Sequence, residues 1–177
     1  MKKPSILQLC LMAMMIALVF VANYVRIPFF SSYLHIANAV CVLAGFLFGG
    51  VQGALIAGLG SALFDLSFPA FVSEAPITFI NKGLMVLVAS LVYNKIKGEK
   101  ALYIGSFAGA FTYVALYLVK SYIQKRFIAP VPLETLGAVL LQKLSASSIN
   151  AVFAGICAPL FYKAVNAALQ KSKIKLK

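Results

Sequence analysis

Long apolar runs, broken by short polar or basic stretches, set the pattern of this chain. Crossing a hydrocarbon layer about 30 Å thick takes about 20 helical residues. On that rule the pattern predicts six spans, at roughly 6–25, 33–49, 51–67, 76–94, 101–122 and 135–162, in a single membrane domain covering 1–177. The second and third are short and meet at Gly49-Gly50. Pro159 is expected to kink or end the sixth, because proline removes a helical hydrogen bond. No small-residue cleavage pattern convincingly follows the first run, so it reads as a transmembrane helix rather than a cleaved signal.

Composition agrees. Hydrophobic residues make up 62% of the 177, charged residues only 11%, and mean hydropathy is +0.95. Soluble domains sit near half apolar. The predicted class is therefore an all-α integral membrane protein, a six-transmembrane-helix bundle.

The net charge of +12 lies mainly at segment ends. If the N terminus is inside, the inner loops and tails hold Lys2, Lys3, Lys95, Lys97, Lys100, Lys163, Lys171, Lys173, Lys175 and Lys177. The outer side then holds Arg26, Lys120, Lys125 and Arg126 beside Glu74 and Glu134. That asymmetry predicts a multi-pass protein of the plasma membrane with both termini cytoplasmic. It does not point to a nucleic-acid partner, since no basic-aromatic groove motif accompanies the charge. Cys10, Cys41 and Cys157 fall in apolar runs without metal-ligand spacing, so they read as small buried hydrophobes. No metal, cofactor or disulfide is called for.

Within "PITFINKGLMVLVASLVYN" the apolar pattern is broken by Asn81 and Lys82. A charge at the bilayer centre costs about 2.5–3.5 kcal/mol even on the lenient insertion scales. With the termini inside, Lys82 lies about 9 Å beyond Pro76 and Lys143 about 12 Å into the sixth span, at 1.5 Å rise per residue. Tyr113, Tyr117 and Lys120 share one face of the fifth helix, and Lys143, Ser147 and Asn150 share one face of the sixth, beside Gln142. Three consecutive helices thus carry polar groups in their outer halves and mostly apolar ones below, which describes a cup rather than a pore. Lys120 reads equally as an interfacial snorkeller. Asp65 is a candidate ion-pair partner for Lys82, whereas Lys143 has no evident acid partner among four acids.

Small residues recur at fourfold spacing at Gly45, Gly49, Gly53, Ala57 and Ser61, and again at Gly105 and Gly109. Such rows let helices approach closely in lipid. Ala13 and Ala17 differ in lying among Met12, Met14 and Met15. A small stripe in a flexible apolar surface suits docking of another membrane protein.

The stretches "YLHIANAVCVLAGFLFGGVQGALIAGLGSALFDL" and "APITFINKGLMVLVASLVYN" resemble the substrate-binding membrane subunits, or S components, of energy-coupling factor (ECF) vitamin transporters, and are similar to the riboflavin-type group. The likeness rests on His35, Ile36, Asn38, Gly45, Gly49, Gly53, Gly60, Ser61, Asp65, Pro76, Thr78, Lys82 and Gly83. Asn38 stands where some members carry an acid, and Gly50 where proline is common. The resemblance implies a six-helix S component that binds a water-soluble vitamin from outside, in a cup of helices four to six covered by outer loops. It implies partners too: a transmembrane T component, with which Ala13 and Ala17 match the family's alanine motif, and two cytosolic ATPase subunits that hydrolyse the ATP. The chain itself is then no enzyme. The first outer loop, "RIPFFSSYLHIAN", would be a lid, with Phe29, Phe30 and Tyr33 suited to stack on a heterocycle or to anchor at the interface. His35 could contact ligand or cap helix two.

Candidate substrate-binding residues are therefore Tyr33, His35, Asn81, Lys82, Tyr113, Tyr117, Lys120, Gln142, Lys143, Ser147 and Asn150. The candidate substrates are pantothenate, pyridoxine-type compounds, hydroxymethylpyrimidine and riboflavin. An intact cationic ligand fits less well. Two other classes are the alternatives: an autonomous secondary transporter, which would show inverted repeats, and, less in keeping with the residues, a small membrane enzyme, which would need clustered acids or a nucleophile with a base.

Overall fold

A computed structural model describes residues 5–29, 32–96, 98 and 100–172. Six helices account for nearly all of it: α1 (Ile6–Ala22), α2 (Ala37–Phe48), α3 (Gly50–Leu66), α4 (Ala75–Lys95), α5 (Lys100–Ile123) and α6 (Leu133–Lys171). A two-stranded antiparallel hairpin, β1 (Arg26–Phe29) and β2 (Ser32–His35), joins α1 to α2. A 3-10 turn (Pro69–Glu74) leads into α4, and a π-helical turn (Gln124–Ile128) follows α5.

Local chemistry explains several boundaries. Ser5 starts α1 with a capping box: its hydroxyl accepts from the Gln8 amide at 3.2 Å, and the Gln8 side chain accepts from the Ser5 amide at 3.0 Å. Gly49 separates α2 from α3 at φ +87°, a left-handed conformation that glycine adopts without steric cost. The predicted second span starts too early. Residues 32–35 form β2, and the helix begins at Ala37, because the hairpin satisfies the backbone there as a ladder. Pro159 does not end α6, which continues to Lys171. Gly155, Ala158 and Pro159 are all buried, so tertiary packing holds the turn that lacks one hydrogen bond.

Every residue of α2 is buried. Its 12 residues reach about 18 Å, short of the hydrocarbon thickness. A helix apolar all round belongs in an interior, and α2 packs against α1, α3, α4 and α6. Small residues make that possible. A Cβ on Gly53 would lie 2.5 Å from the Gly45 Cα, so α2 and α3 touch backbone to backbone. A Cβ on Gly60 would meet the Ile16 carbonyl of α1 at 2.7 Å, and one on Gly109 the Met85 carbonyl of α4 at 2.6 Å. The Ser90 hydroxyl donates to the Gly45 carbonyl at 2.9 Å, joining α4 to α2. The glycine rows are thus helix-packing seams.

Three helical stretches, Pro69–Lys95, Lys100–Ile128 and Leu133–Lys171, are long and apolar enough to cross a membrane, while α1, α2 and α3 are shorter apolar helices.

Candidate functional site

One end of the bundle is hollow. A cavity of about 390 Å³ is lined by Asn23 from the turn after α1, Arg26 and His35 of the hairpin, Asn38 at the start of α2, and Phe64 and Asp65 at the end of α3. Phe71 and Glu74 of the 3-10 turn, Thr78, Asn81 and Lys82 of α4, and Tyr113, Tyr117 and Lys120 of α5 complete one side. Val139, Gln142, Lys143, Ala146, Ser147 and Asn150 of α6 complete the other. Beneath it Met85, Ala89, Ala110, Ala151 and Ala154 are almost fully buried, an apolar floor between α4, α5 and α6.

Of the sequence-predicted residues, His35, Asn81, Lys82, Tyr113, Tyr117, Lys120, Gln142, Lys143, Ser147 and Asn150 all line this one cavity. Tyr33 pairs through its backbone with Pro28 in the hairpin. The side chains of Phe29 and Tyr33, and all of Phe30, lie outside the described residues.

Lys82 is 6% exposed. Its Nζ donates to the Asn38 Oδ1 and stands 4.4 Å from the Tyr113 ring centroid. The expected pairing with Asp65 is not formed: Asp65 is hydrogen-bonded with Thr78, one helical turn before Lys82. Tyr113 and Tyr117 stack with centroids 6.1 Å apart and planes 16° from parallel. The Lys143 Nζ donates to the Tyr117 hydroxyl at 3.0 Å and lies 5.0 Å from that ring's centroid. Lys120 forms the one salt bridge among the described residues, to Glu74, whose other oxygen accepts from Gln124 at 3.2 Å. It is therefore neither a simple snorkeller nor an unpaired ligand group.

The hairpin is tied down over this cavity. The His35 amide donates to the Asn150 Oδ1 at 2.8 Å, joining β2 to α6. The Arg26 Nε donates to the Asn23 carbonyl at 2.9 Å, and its guanidinium lies 4.6 Å from the Phe64 centroid. Helix α2 has Ile36 at its N-cap, a residue that offers no polar side chain. Burial, then the nearby charges of Lys82 and Arg26, lower the His35 pKa from 6.5 to about 4, so it is neutral near pH 7. Ser147 spends its hydroxyl proton on the Lys143 carbonyl at 2.6 Å, leaving oxygen lone pairs as its contribution to the cavity.

As lining groups, sequence reasoning missed Asn23, Arg26, Asn38, Phe64, Phe71, Thr78, Val139 and Ala146, and it gave Asp65 and Glu74 no place among the binding residues. Asn23 and Asn38 are polar and buried, at 9% and 4% exposure. A polar residue inside an apolar run was the signal that singled out Lys82, and it was available for Asn38 too.

The model of the ECF-type riboflavin transporter S-component family matches residues 3–167. The chain belongs to that family. Among solved structures it is similar to one described as the S component of a bacterial ECF transporter, at 22% identity and TM-score 0.65, covering 92% of this chain and 96% of that one. That likeness supports the fold. No curated protein matches the chain. Membership makes this a substrate-binding component of an ECF transporter, and a membrane protein.

Proposed function

We propose that this S component captures a small water-soluble vitamin or vitamin precursor from outside the cell, with high affinity, in the cavity between the hairpin and helices α4–α6. The observation that carries the proposal is the convergence of ten separately predicted polar side chains on a single hollow above an apolar floor. A cavity of about 390 Å³ lies within the usual small-molecule range of about 300–1,000 Å³. Pantothenate, pyridoxine-type compounds, hydroxymethylpyrimidine and riboflavin are the candidates.

Orientation follows from charge. The cavity is built from the ends of α1, α3 and α5 and the starts of α2, α4 and α6. The start of α1 and the end of α6 therefore lie at the opposite face, with Lys95, Lys100, Lys163 and Lys171. The positive-inside rule makes that face cytoplasmic and the cavity external. Energy comes from partner chains: a transmembrane T component, docked at Ala13 and Ala17 of α1, and two cytosolic ATPases. Both alanines are exposed, on a face shared with Leu9 and Met14.

Mass spectrometry of ligand released from the purified protein, followed by thermal-shift titration with a vitamin panel, tests this reading. One compound should co-purify and raise the melting midpoint at submicromolar concentration. A chain that carries nothing and responds to no vitamin would not be an importer's capture subunit.

A further inference from the structure

The cavity holds an uneven charge balance. Four cationic side chains, Arg26, Lys82, Lys120 and Lys143, face two carboxylates, Asp65 and Glu74. Glu74 is committed to Lys120, and Asp65 is bonded with Thr78. Lys82 and Lys143 each have a neutral oxygen and a tyrosine face as their contacts, Asn38 and Tyr113 for one, Tyr117 for the other. An ammonium group has three donors. A neutral acceptor and a ring quadrupole satisfy part of that capacity; Asp65 and Glu74 act on Lys82 and Lys143 only at longer range, and neither lysine has a carboxylate in direct contact among the described residues.

The two ammonium groups are also linked in space. The path Lys82–Tyr113–Tyr117–Lys143 has no step longer than 6.1 Å. It places the two tyrosine rings between two positive groups.

Building on the import reading above, we infer that the natural ligand is a small acid, with one anionic group seated against Lys82 or Lys143 and its uncharged body beside Tyr113 and Tyr117. The bound anion supplies the counter-charge that the protein withholds. A carboxylate accepts from an ammonium in a short, charge-assisted bond, while the exposed parts of the tyrosine rings offer apolar contact to either a ring or an aliphatic chain. His35, neutral near pH 7, adds no competing charge. The same surplus disfavours a cationic ligand.

The test is calorimetric titration of the full chain in detergent with pairs matched except for the acid group: pantothenate against panthenol, 4-pyridoxate against pyridoxine, riboflavin 5′-phosphate against riboflavin. The acid member of one pair should bind at least a hundredfold tighter than its neutral partner. Lys143→Met should weaken that acid at least tenfold and shrink the ratio, and Lys143→Arg should restore most of it. Lys82→Met should do likewise. If burial of Lys82 makes that variant unfold, the half-buried Lys143 decides alone. Tight binding of a neutral member, or an acid–neutral ratio unmoved by Lys143→Met, overturns the inference and leaves the import reading intact. Silence across all six compounds overturns the inference; silence across the whole vitamin panel as well, with no co-purifying ligand, removes both.

Discussion

The Lys82 ammonium donates to the Asn38 side-chain oxygen across the α2–α4 interface, with both residues under 7% exposed. The bond joins the wholly buried helix to the helix that opens the cavity floor, and it does so next to the Tyr113 face. A buried charge is thus held by a neutral acceptor, with Asp65 acting on it only from further away. Replacing Asn38 by Leu strands the ammonium. The expected loss is at least the roughly 1–3 kcal/mol of a neutral unsatisfied buried group, since the stranded group is charged. Asn38→Asp should retain the fold and lose affinity for acids, since the new carboxylate neutralises Lys82. Denaturation midpoints and ligand titrations of the two variants check both halves.

Glycine seams give a second, ligand-independent expectation. Gly53→Ala drives a methyl into the Gly45 backbone at 2.5 Å, and helices cannot yield as a side chain would. Overpacking of this kind costs about 1–3 kcal/mol. Gly83→Ala meets its nearest neighbour, the Ala54 carbonyl, at 3.7 Å, an ordinary contact. There alanine's better helix propensity, worth up to about 1 kcal/mol, should leave stability equal or higher. Thermal midpoints in one detergent should separate the pair. Equal losses would mean that α2 and α3 are not in backbone contact.

His35 makes stability depend on pH. Its folded pKa of about 4 lies below the ordinary 6.5, through burial first and then the charges of Lys82 and Arg26. Between those values the unfolded chain binds more protons than the folded one, so stability rises with pH. The contribution is complete above about pH 6.5 and is lost as pH falls towards 4, a few kcal/mol at most. Melting midpoints at pH 7.5 and 4.5 should fall less in His35→Gln than in the parent. Parallel slopes would show that His35 is not the group responsible.

Ala13 and Ala17 lie on the exposed face of α1, away from the cavity. Ala13→Trp and Ala17→Trp should leave vitamin binding by the isolated chain unchanged and abolish its co-purification with a co-expressed T component. Intact assembly in both variants would move the docking surface elsewhere.

Much of this protein is legible in its primary structure because lipid imposes a strong constraint. Every backbone group in hydrocarbon must be bonded within its own helix, so a long apolar run declares a helix. A lysine inside such a run declares a site. The helices α4, α5 and α6, the spacing of Tyr113 with Tyr117 and of Lys143 with Ser147 and Asn150, and the glycine seams all follow from that reasoning. Partner choice does not. Lys82 had Asp65 and Asn38 in reach of its helix, and only the meeting of α2 with α4 delivers it to Asn38 while Thr78 takes Asp65. Lys120 finds Glu74 because the 3-10 turn folds beside the end of α5. The burial of α2 and the closing hairpin likewise depend on close packing between helices distant in sequence. Periodicity records which face of a helix is polar; which neighbour that face meets is decided by side-chain volumes summed across the bundle, a quantity no single segment contains.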